Sequence, residues 1–384
     1  MKNKFIYFTS SMDNESFKEY LADWKISPNL SNQNFHNKLI RSLALSHDID
    51  VISVRSINKY FKRMSLNAKI VREGNIFWKY PLVKRNRIDK FFKLFKRIEN
   101  ITMHDSELIF VDVLNLSLLK NALKYKERHN MPIIGVCTDS PNNISFLKKR
   151  YKQKLIELGQ KLDGYIVLTE NINSLYNVNN KPYVCIDGVS ETPNDYLPRE
   201  ITDNYIYFGG SLMKEYGVLN LIEAFKKLER NDLKLVICGH HLQKNELIPA
   251  IEGHDNIIYL GPVSYERNLS LEKYSLLAVN PRPQNSKIDL YSFPSKTLEF
   301  LANGCITITV ENELLKDHYG SCIVWSKTGD PDDLLEAMKK ALEMTRTERE
   351  VLIILGKNKA MQYTSLESVN RVIDDELLSK ILLD

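Results

Sequence analysis

Three stretches in the second half of the chain end an apolar run with residues able to meet a phosphorylated ligand. The first is YFGGSLMKEYG at 207–217. Gly209 and Gly210 would let backbone approach a diphosphate closely, Ser211 follows them, and Lys214 can bring positive charge to it. The same glycines also suit a plain strand-to-helix turn beside a solvated lysine, and no G-x-G-x-x-G pattern is present. The second is VICGHHL at 236–242 together with YLGPVSYERN at 259–268, where Gly239 and Gly261 each close a strand. Pro262, Val263 and Tyr265 can build the flat apolar slot that a nucleobase needs. His240 reads equally as a phosphate or sugar contact and as a surface histidine.

The third stretch is NPRPQNSKIDLYSFPSKTLEFLANG at 280–304. Its helical pattern runs over 292–303, with Pro294 in the first turn and Gly304 as the stop. The N-terminus of such a helix offers backbone N–H groups to an anion, with the Ser292 and Ser295 hydroxyls beside them. Tyr291, Phe293 and Lys296 complete this loop. Glu299 sits one to two turns down, where its carboxylate can accept hydrogen bonds from two vicinal hydroxyls. The competing reading is a surface ion pair, Lys296 with Glu299 at i,i+3. Arg282, just after a strand, has the fork geometry for bidentate phosphate binding.

Alternating strands and helices must position these residues. At 5–9, 49–54, 162–169 and 182–188, and in ELIFVDVL and PIIGVCTD, apolar runs read as strands, with an amphipathic helix over 31–45. After a polar, proline-containing break at 188–203 the alternation restarts in YIYFGG, LKLVICG, NIIYLG, LLAVNP, CITITV and CIVWS. Such alternation predicts an α/β chain of two Rossmann-like, doubly wound domains facing a cleft, with ligands beyond the carboxyl ends of the strands. The expected boundaries are an N-terminal domain over 1–190, a linker over 191–203, a C-terminal domain over 204–365 and a C-terminal helix over 366–384 that packs back on the first domain. A length of 384 residues accommodates two domains.

Charge divides between the halves. Residues 1–190 carry 31 Lys and Arg against 18 Asp and Glu, whereas the remainder carries 22 against 30. The two halves should therefore meet different partners. The five cysteines, at 137, 185, 238, 305 and 322, form no C-x-x-C pair and read as buried, reduced thiols. No run of about 18 apolar residues predicts a membrane span, and the N-terminus lacks the pattern of a signal peptide, so a cytoplasmic protein is expected.

The order of the glycine turn, the following helix, LKLVICG, NIIYLGPV and SFPSKTLEFLANG resembles the donor domain of retaining glycosyltransferases of the GT-B fold, family 4, common among bacterial surface-polysaccharide enzymes. The resemblance implies a hexosyl transfer from a nucleotide sugar, with uridine diphosphate as the expected carrier, and no metal or other cofactor. It implies that Glu299 holds the ribose, that 292–295 meets the donor phosphate and sugar, and that lysine, arginine and helix amides stabilise the leaving diphosphate. Lys214, Arg282 and Glu299 are then the residues expected to carry the reaction. The chain departs from the family at three places: Tyr291 replaces a glutamate eight positions before Glu299, Ser211 replaces an arginine, and Tyr216 replaces a lysine. A non-catalytic subunit of a partner transferase and a nucleotide-sugar epimerase are the alternative readings.

By the same resemblance the N-terminal domain binds the acceptor, a glycan that can be lipid-linked. Asn34, Asp112 and Asp139 fall near strand ends or early turns and can line that side, although such positions also suit turn formers. Between 57 and 97 stand 13 Lys and Arg against Glu73 and Asp89. Within RIDKFFKLFKRIEN, Ile88, Phe91, Phe92, Phe95 and Ile98 share one helical face and Lys90, Lys93, Lys96 and Arg97 oppose it. That is the pattern of a helix lying on an anionic membrane, at the inner face, and equally of a helix packed on a core. Nucleic acid is not expected as a partner, because no recognised motif accompanies the charge.

Overall fold

In the first half, short runs of β-branched and aromatic residues are buried along their whole length, which is what strands covered on both faces require. A computed structural model describes residues 2–24, 30–85, 93–102, 105–144, 147–191, 197–240, 244–284 and 290–382, without the side chains of 30, 240, 244 and 245. The chain divides into two units. The first comprises Met1–Val189, Leu290–Ser292 and Leu366–Asp384; the second comprises Ser190–Asp289 and Phe293–Ser365.

The strands of the first unit are β1 (Lys4–Thr9), β2 (Asp48–Ser53), β3 (Ser65–Leu66), β4 (Lys69–Glu73), β5 (Ile76–Tyr80), β6 (Val83–Lys84), β7 (Leu108–Asp112), β8 (Ile133–Cys137), β9 (Gly164–Val167) and β10 (Tyr183–Cys185). Eight of them form one sheet in the order β10-β9-β8-β7-β1-β2-β5-β4. Its pairings are parallel except for the β4–β5 hairpin. Phe5, Ile6, Tyr7 and Phe8 of β1 and Leu108 to Val111 of β7 are fully buried, so the core lies along the centre of this sheet. The helix Leu30–Leu43 covers it and receives the chain's last helices: Ser42 Oγ donates to Leu366 O at 2.6 Å, and His47 Nε2 lies 2.8 Å from Asp374 Oδ1.

The basic stretch at 57–97 falls into two parts. The strands β3 to β6 run through 65–84, with Trp78 and Tyr80 buried. Among the described residues of this stretch a helix runs over Leu94–Glu99, where Leu94, Phe95 and Ile98 face the interior while Lys93 and Lys96 are exposed. Phe95 and Ile98 are thus not presented to a membrane, because packing against the unit has already removed them from water. Ile88, Lys90, Phe91 and Phe92 lie outside the described residues.

The second unit holds β11 (Tyr205–Ser211), β12 (Lys234–His240), β13 (Ile257–Gly261), β14 (Leu277–Asn280), β15 (Thr307–Val310) and β16 (Val324–Ser326). They form one parallel sheet ordered β13-β12-β11-β14-β15-β16, which reverses direction between β11 and β14. The helix Val218–Lys227 shows how its faces are covered: Val218, Leu221, Ile222 and Phe225 recur at helical spacing and are buried against the sheet. The helix Pro331–Glu343 begins with Pro331 after Asp330, and Leu334, Ala337, Met338 and Ala341 complete the same core.

All five cysteines are free. Four are buried, while Cys185 is exposed because it ends the short edge strand β10. Among the described residues no helix is long and apolar enough to cross a membrane.

Candidate active site

The glycine turn is built by two neighbouring strands. In the β11–β12 register Gly210 stands opposite Gly239 and Ser211 opposite His240. Gly239 has φ +139, and a Cβ there would lie 1.8 Å from Gly210 O. Only glycine allows this approach. Gly209 serves a different neighbour. A Cβ on it would fall 2.2 Å from Tyr207 Oη and 2.7 Å from Asn268 Oδ1, so its lack of a side chain leaves room for a hydrogen bond beneath the turn.

That bond starts a network reaching Glu299. Tyr207 Oη donates to Asn268 Oδ1 at 2.7 Å, and Asn268 Nδ2 donates to Glu299 Oε1 at 3.0 Å and to Glu272 Oε1. Asn303 Nδ2 donates to Glu272 Oε2 at 3.3 Å. Lys296 Nζ lies 2.8 Å from Glu299 Oε1 and 3.8 Å from Glu272 Oε1. Lys296 also reaches the turn, with its Cε 4.0 Å from where a Cβ of Gly210 would stand. Both readings of Lys296 and Glu299 meet here: they do form the i,i+3 pair, and they form it against the glycine turn at the carboxyl edge of the sheet.

Burial and proximity set the charges. Glu272 is fully buried, and its desolvation, joined by the carboxylate of Glu299, pushes it well above the ordinary carboxylate range. Burial lowers Lys296, but Glu299 and Glu272 outweigh it and hold the ammonium above its usual value. Two carboxyl groups this close do not both ionise readily. Glu272 therefore holds its proton more tightly than an ordinary carboxyl, and Lys296 keeps its charge beside Glu299. Tyr265, at the start of the helix Tyr265–Lys273, is raised by burial and then by Glu299 and Glu272, which puts it beside this network.

The loop before Glu299 corrects one expectation. The helix spans Ser295–Ala302, not 292–303. Pro294, at φ −78 and ψ 66, is its N-cap. Proline's ring keeps Phe293 out of the helical region, and Ser295 N instead closes a turn onto Phe293 O at 2.9 Å. Ser292 thus falls outside the helix, and with Tyr291 it belongs to the first unit. Phe293 and Pro294 are buried, and Ser295 is exposed.

The remaining residues fall as follows. Arg282 lies over the Tyr216 ring at 5.5 Å and shares a small cavity with Pro294. Lys214 is exposed in the 3₁₀ turn Lys214–Tyr216. His240 ends β12, and its side chain lies outside the described residues, as does Asp289. Pro262 is exposed, whereas Val263 is half-buried against the cluster of Tyr205 and Tyr207.

On the first unit, Asp112 is 1% exposed and keeps its carboxylate inside. It accepts from Leu114 N at 3.0 Å and Asn32 Nδ2 at 3.1 Å, and lies 3.6 Å from His36 Nε2. Asp139 Oδ1 accepts from Ser140 N and Asn143 Nδ2, both at 2.7 Å, as a turn former does. Asn34 is half-buried. Sequence reasoning missed Glu272, Asn268, Asn303 and Tyr207. Its one available signal was Asn268 and Glu272 at i,i+4, on one face of a helix.

Residues 195–359 match the family Glycosyl transferases group 1, so the second unit carries a glycosyltransferase domain of that group. Among curated proteins none matches in sequence. Solved structures match over the whole chain. A sucrose-phosphate synthase from Thermosynechococcus elongatus aligns with TM-score 0.71 at 10% identity, covering 100% of each chain. The E. coli trehalose-6-phosphate structure with UDP-2-fluoro glucose bound aligns at 0.70 and 12% identity, covering 99% of each. An α,α-trehalose 6-phosphate synthase from Burkholderia multivorans aligns at 0.68 and 12%, covering 99% of this chain and 97% of that one. The fold is that of GT-B glycosyltransferases, with two Rossmann-like units.

Proposed function

We propose that this glycosyltransferase takes a hexosyl group from a nucleotide sugar held by its second unit and transfers it with retention to a glycan acceptor held by its first. The observation that carries this reading is the junction of Glu299, Lys296 and the Gly209–Gly210 turn at the carboxyl edge of β11, inside the group-1 domain. It lies where the strand order reverses, the position at which doubly wound sheets bind ligands.

In this reading Glu299 accepts the two ribose hydroxyls. Asn268 and Lys296 hold its carboxylate in place beforehand, so little ordering is left for the ligand. A neutral Glu272 keeps a second negative charge away from the phosphates. The leaving diphosphate draws its compensation from Lys214, Arg282 and Lys296 and from the start of the helix Ser295–Ala302, a preorganised electrostatic arrangement that needs no metal. Uridine diphosphate is the proposed carrier; a solved neighbour holds a UDP sugar. A lipid-linked acceptor for surface polysaccharide, reached at the inner membrane face, remains part of the proposal through the basic charge of residues 1–190.

A melting-temperature screen against UDP, GDP, dTDP and CMP sugars tests the donor site, since a ligand that binds only the folded state raises the transition. Incubation with the stabilising donor then tests the reaction: free sugar supports transfer, and an epimerised nucleotide sugar overturns it.

A further inference from the structure

A separate cavity lies in the first unit, where β1, β2 and β5 end. It has a volume of about 480 Å³, and its lining includes Glu19, Tyr20, Arg55, Arg63 and Lys69. Arg55 follows β2 by two residues and is 5% exposed. Its Nη2 donates to Asn67 O at 2.7 Å and Pro81 O at 3.3 Å, while its buried Nε has no partner. Among the described residues it joins no ion pair. The other two cations are held by acids, Arg63 by Asp23 and Lys69 by Glu19 at 3.2 Å.

The base of the cavity is braced. Arg55 and Lys69 both lie over the Tyr80 ring, at 4.9 and 5.4 Å. Tyr80 Oη donates to Asp13 Oδ2 and accepts from Asp13 N, which ties the ring to the loop after β1. Burial lowers Arg55 to about 10, against the opposing effect of Tyr80 and Tyr20, so the guanidinium is charged at neutral pH. A buried cation compensated by carbonyls and a ring face, without a carboxylate, retains a large desolvation cost. An oxyanion removes that cost, and a guanidinium fork suits phosphoryl oxygens. The volume lies in the range of small-molecule pockets and exceeds that of a lone ion.

We propose that this cavity binds a phosphoryl group of the acceptor, with Arg55 as its buried cation and Lys69 and Arg63 at the rim. The word acceptor rests on the sugar-transfer reading above; the anion site rests on Arg55 and its surroundings. The test is calorimetric titration of the full chain with inorganic phosphate and pyrophosphate, with UDP titrated separately and then held saturating. Phosphate should bind saturably. Arg55→Gln should weaken it roughly 10- to 100-fold, with UDP affinity and melting temperature maintained. If Arg55→Gln fails to fold, the double variant Arg63→Ser, Lys69→Ser replaces it and should weaken phosphate severalfold.

A folded variant that binds phosphate like the wild type overturns the proposal. Competition identifies the source: displacement of phosphate by a soluble sugar phosphate or by a detergent-dispersed polyisoprenyl diphosphate supports it, and displacement by neither overturns it. Phosphate binding without UDP binding would sink the transfer reading and leave the anion site standing. UDP binding without phosphate binding would sink the anion site alone.

Discussion

The candidate sites of the two units treat charge in opposite ways. In the second, Lys296 and Glu299 come from one helix three residues apart and pair with each other, and burial raises Glu272 beside them. In the first, Arg55 follows a strand end and meets two loop carbonyls and the face of Tyr80, with no acid paired to it among the described residues. Charges close in sequence on a helix compensate each other locally. A cation delivered singly by the end of a strand depends on whatever the tertiary structure, or a ligand, brings to it.

The contrast is tested most severely at Gly239, where the second unit relies on backbone contact. Gly239→Ala combines φ +139 with a clash on Gly210 O. It should cost about 4–5 kcal/mol. Urea unfolding should show the loss in the second unit, with UDP binding gone. Unaltered unfolding would mean that the turn does not need this approach.

Next comes Phe95→Ser in the first unit. Phe95 is 7% exposed, so a loss of about 3 kcal/mol in stability is expected. Vesicle co-sedimentation of the folded fraction should stay as in the wild type; release from vesicles without destabilisation would restore the membrane face. Glu299→Ala follows, with about 2–3 kcal/mol lost from nucleotide binding as two hydrogen bonds disappear. Calorimetry on the folded variant checks it, and unchanged affinity would remove Glu299 from the ribose.

Glu272→Gln is the smallest, about 1 kcal/mol. The folded pKa of Glu272 is raised, so its contribution to stability is fully present below the ordinary carboxylate range and is lost as pH rises through the folded value. Glutamine cannot ionise, so the fall in melting temperature as pH rises above the ordinary carboxylate range should flatten. A fall as steep as in the wild type would show that Glu272 does not carry the proton.

The sequence made much of the second unit readable, because its strands end in glycines and its helices carry apolar residues at a period near 3.6. Glu299, Lys296 and the glycine turn were legible for the same reason: each belongs to a short local pattern. Glu272 was not, since a carboxylate inside an amphipathic helix looks solvated until a neighbouring helix covers it. In the stretch at 57–97 the helix read from RIDKFFKLFKRIEN is present over Leu94–Glu99, while the basic charge before it is shared with the short strands β3 to β6, which carry no helical period. Asp112 stood at a strand end as expected, but packing by the helix Leu30–Leu43 closed it off.

Residue order alone determined two parallel α/β units and the glycine and helix-start elements of the candidate donor site, since these follow from periodicity and from backbone freedom within a few residues. Which charges are paired, protonated or left facing a cavity was decided only in three dimensions. Desolvation and compensation depend on what packs nearby: Asn303 and Lys296 come to Glu272, and Asn67 and Pro81 to Arg55, from other elements of the fold.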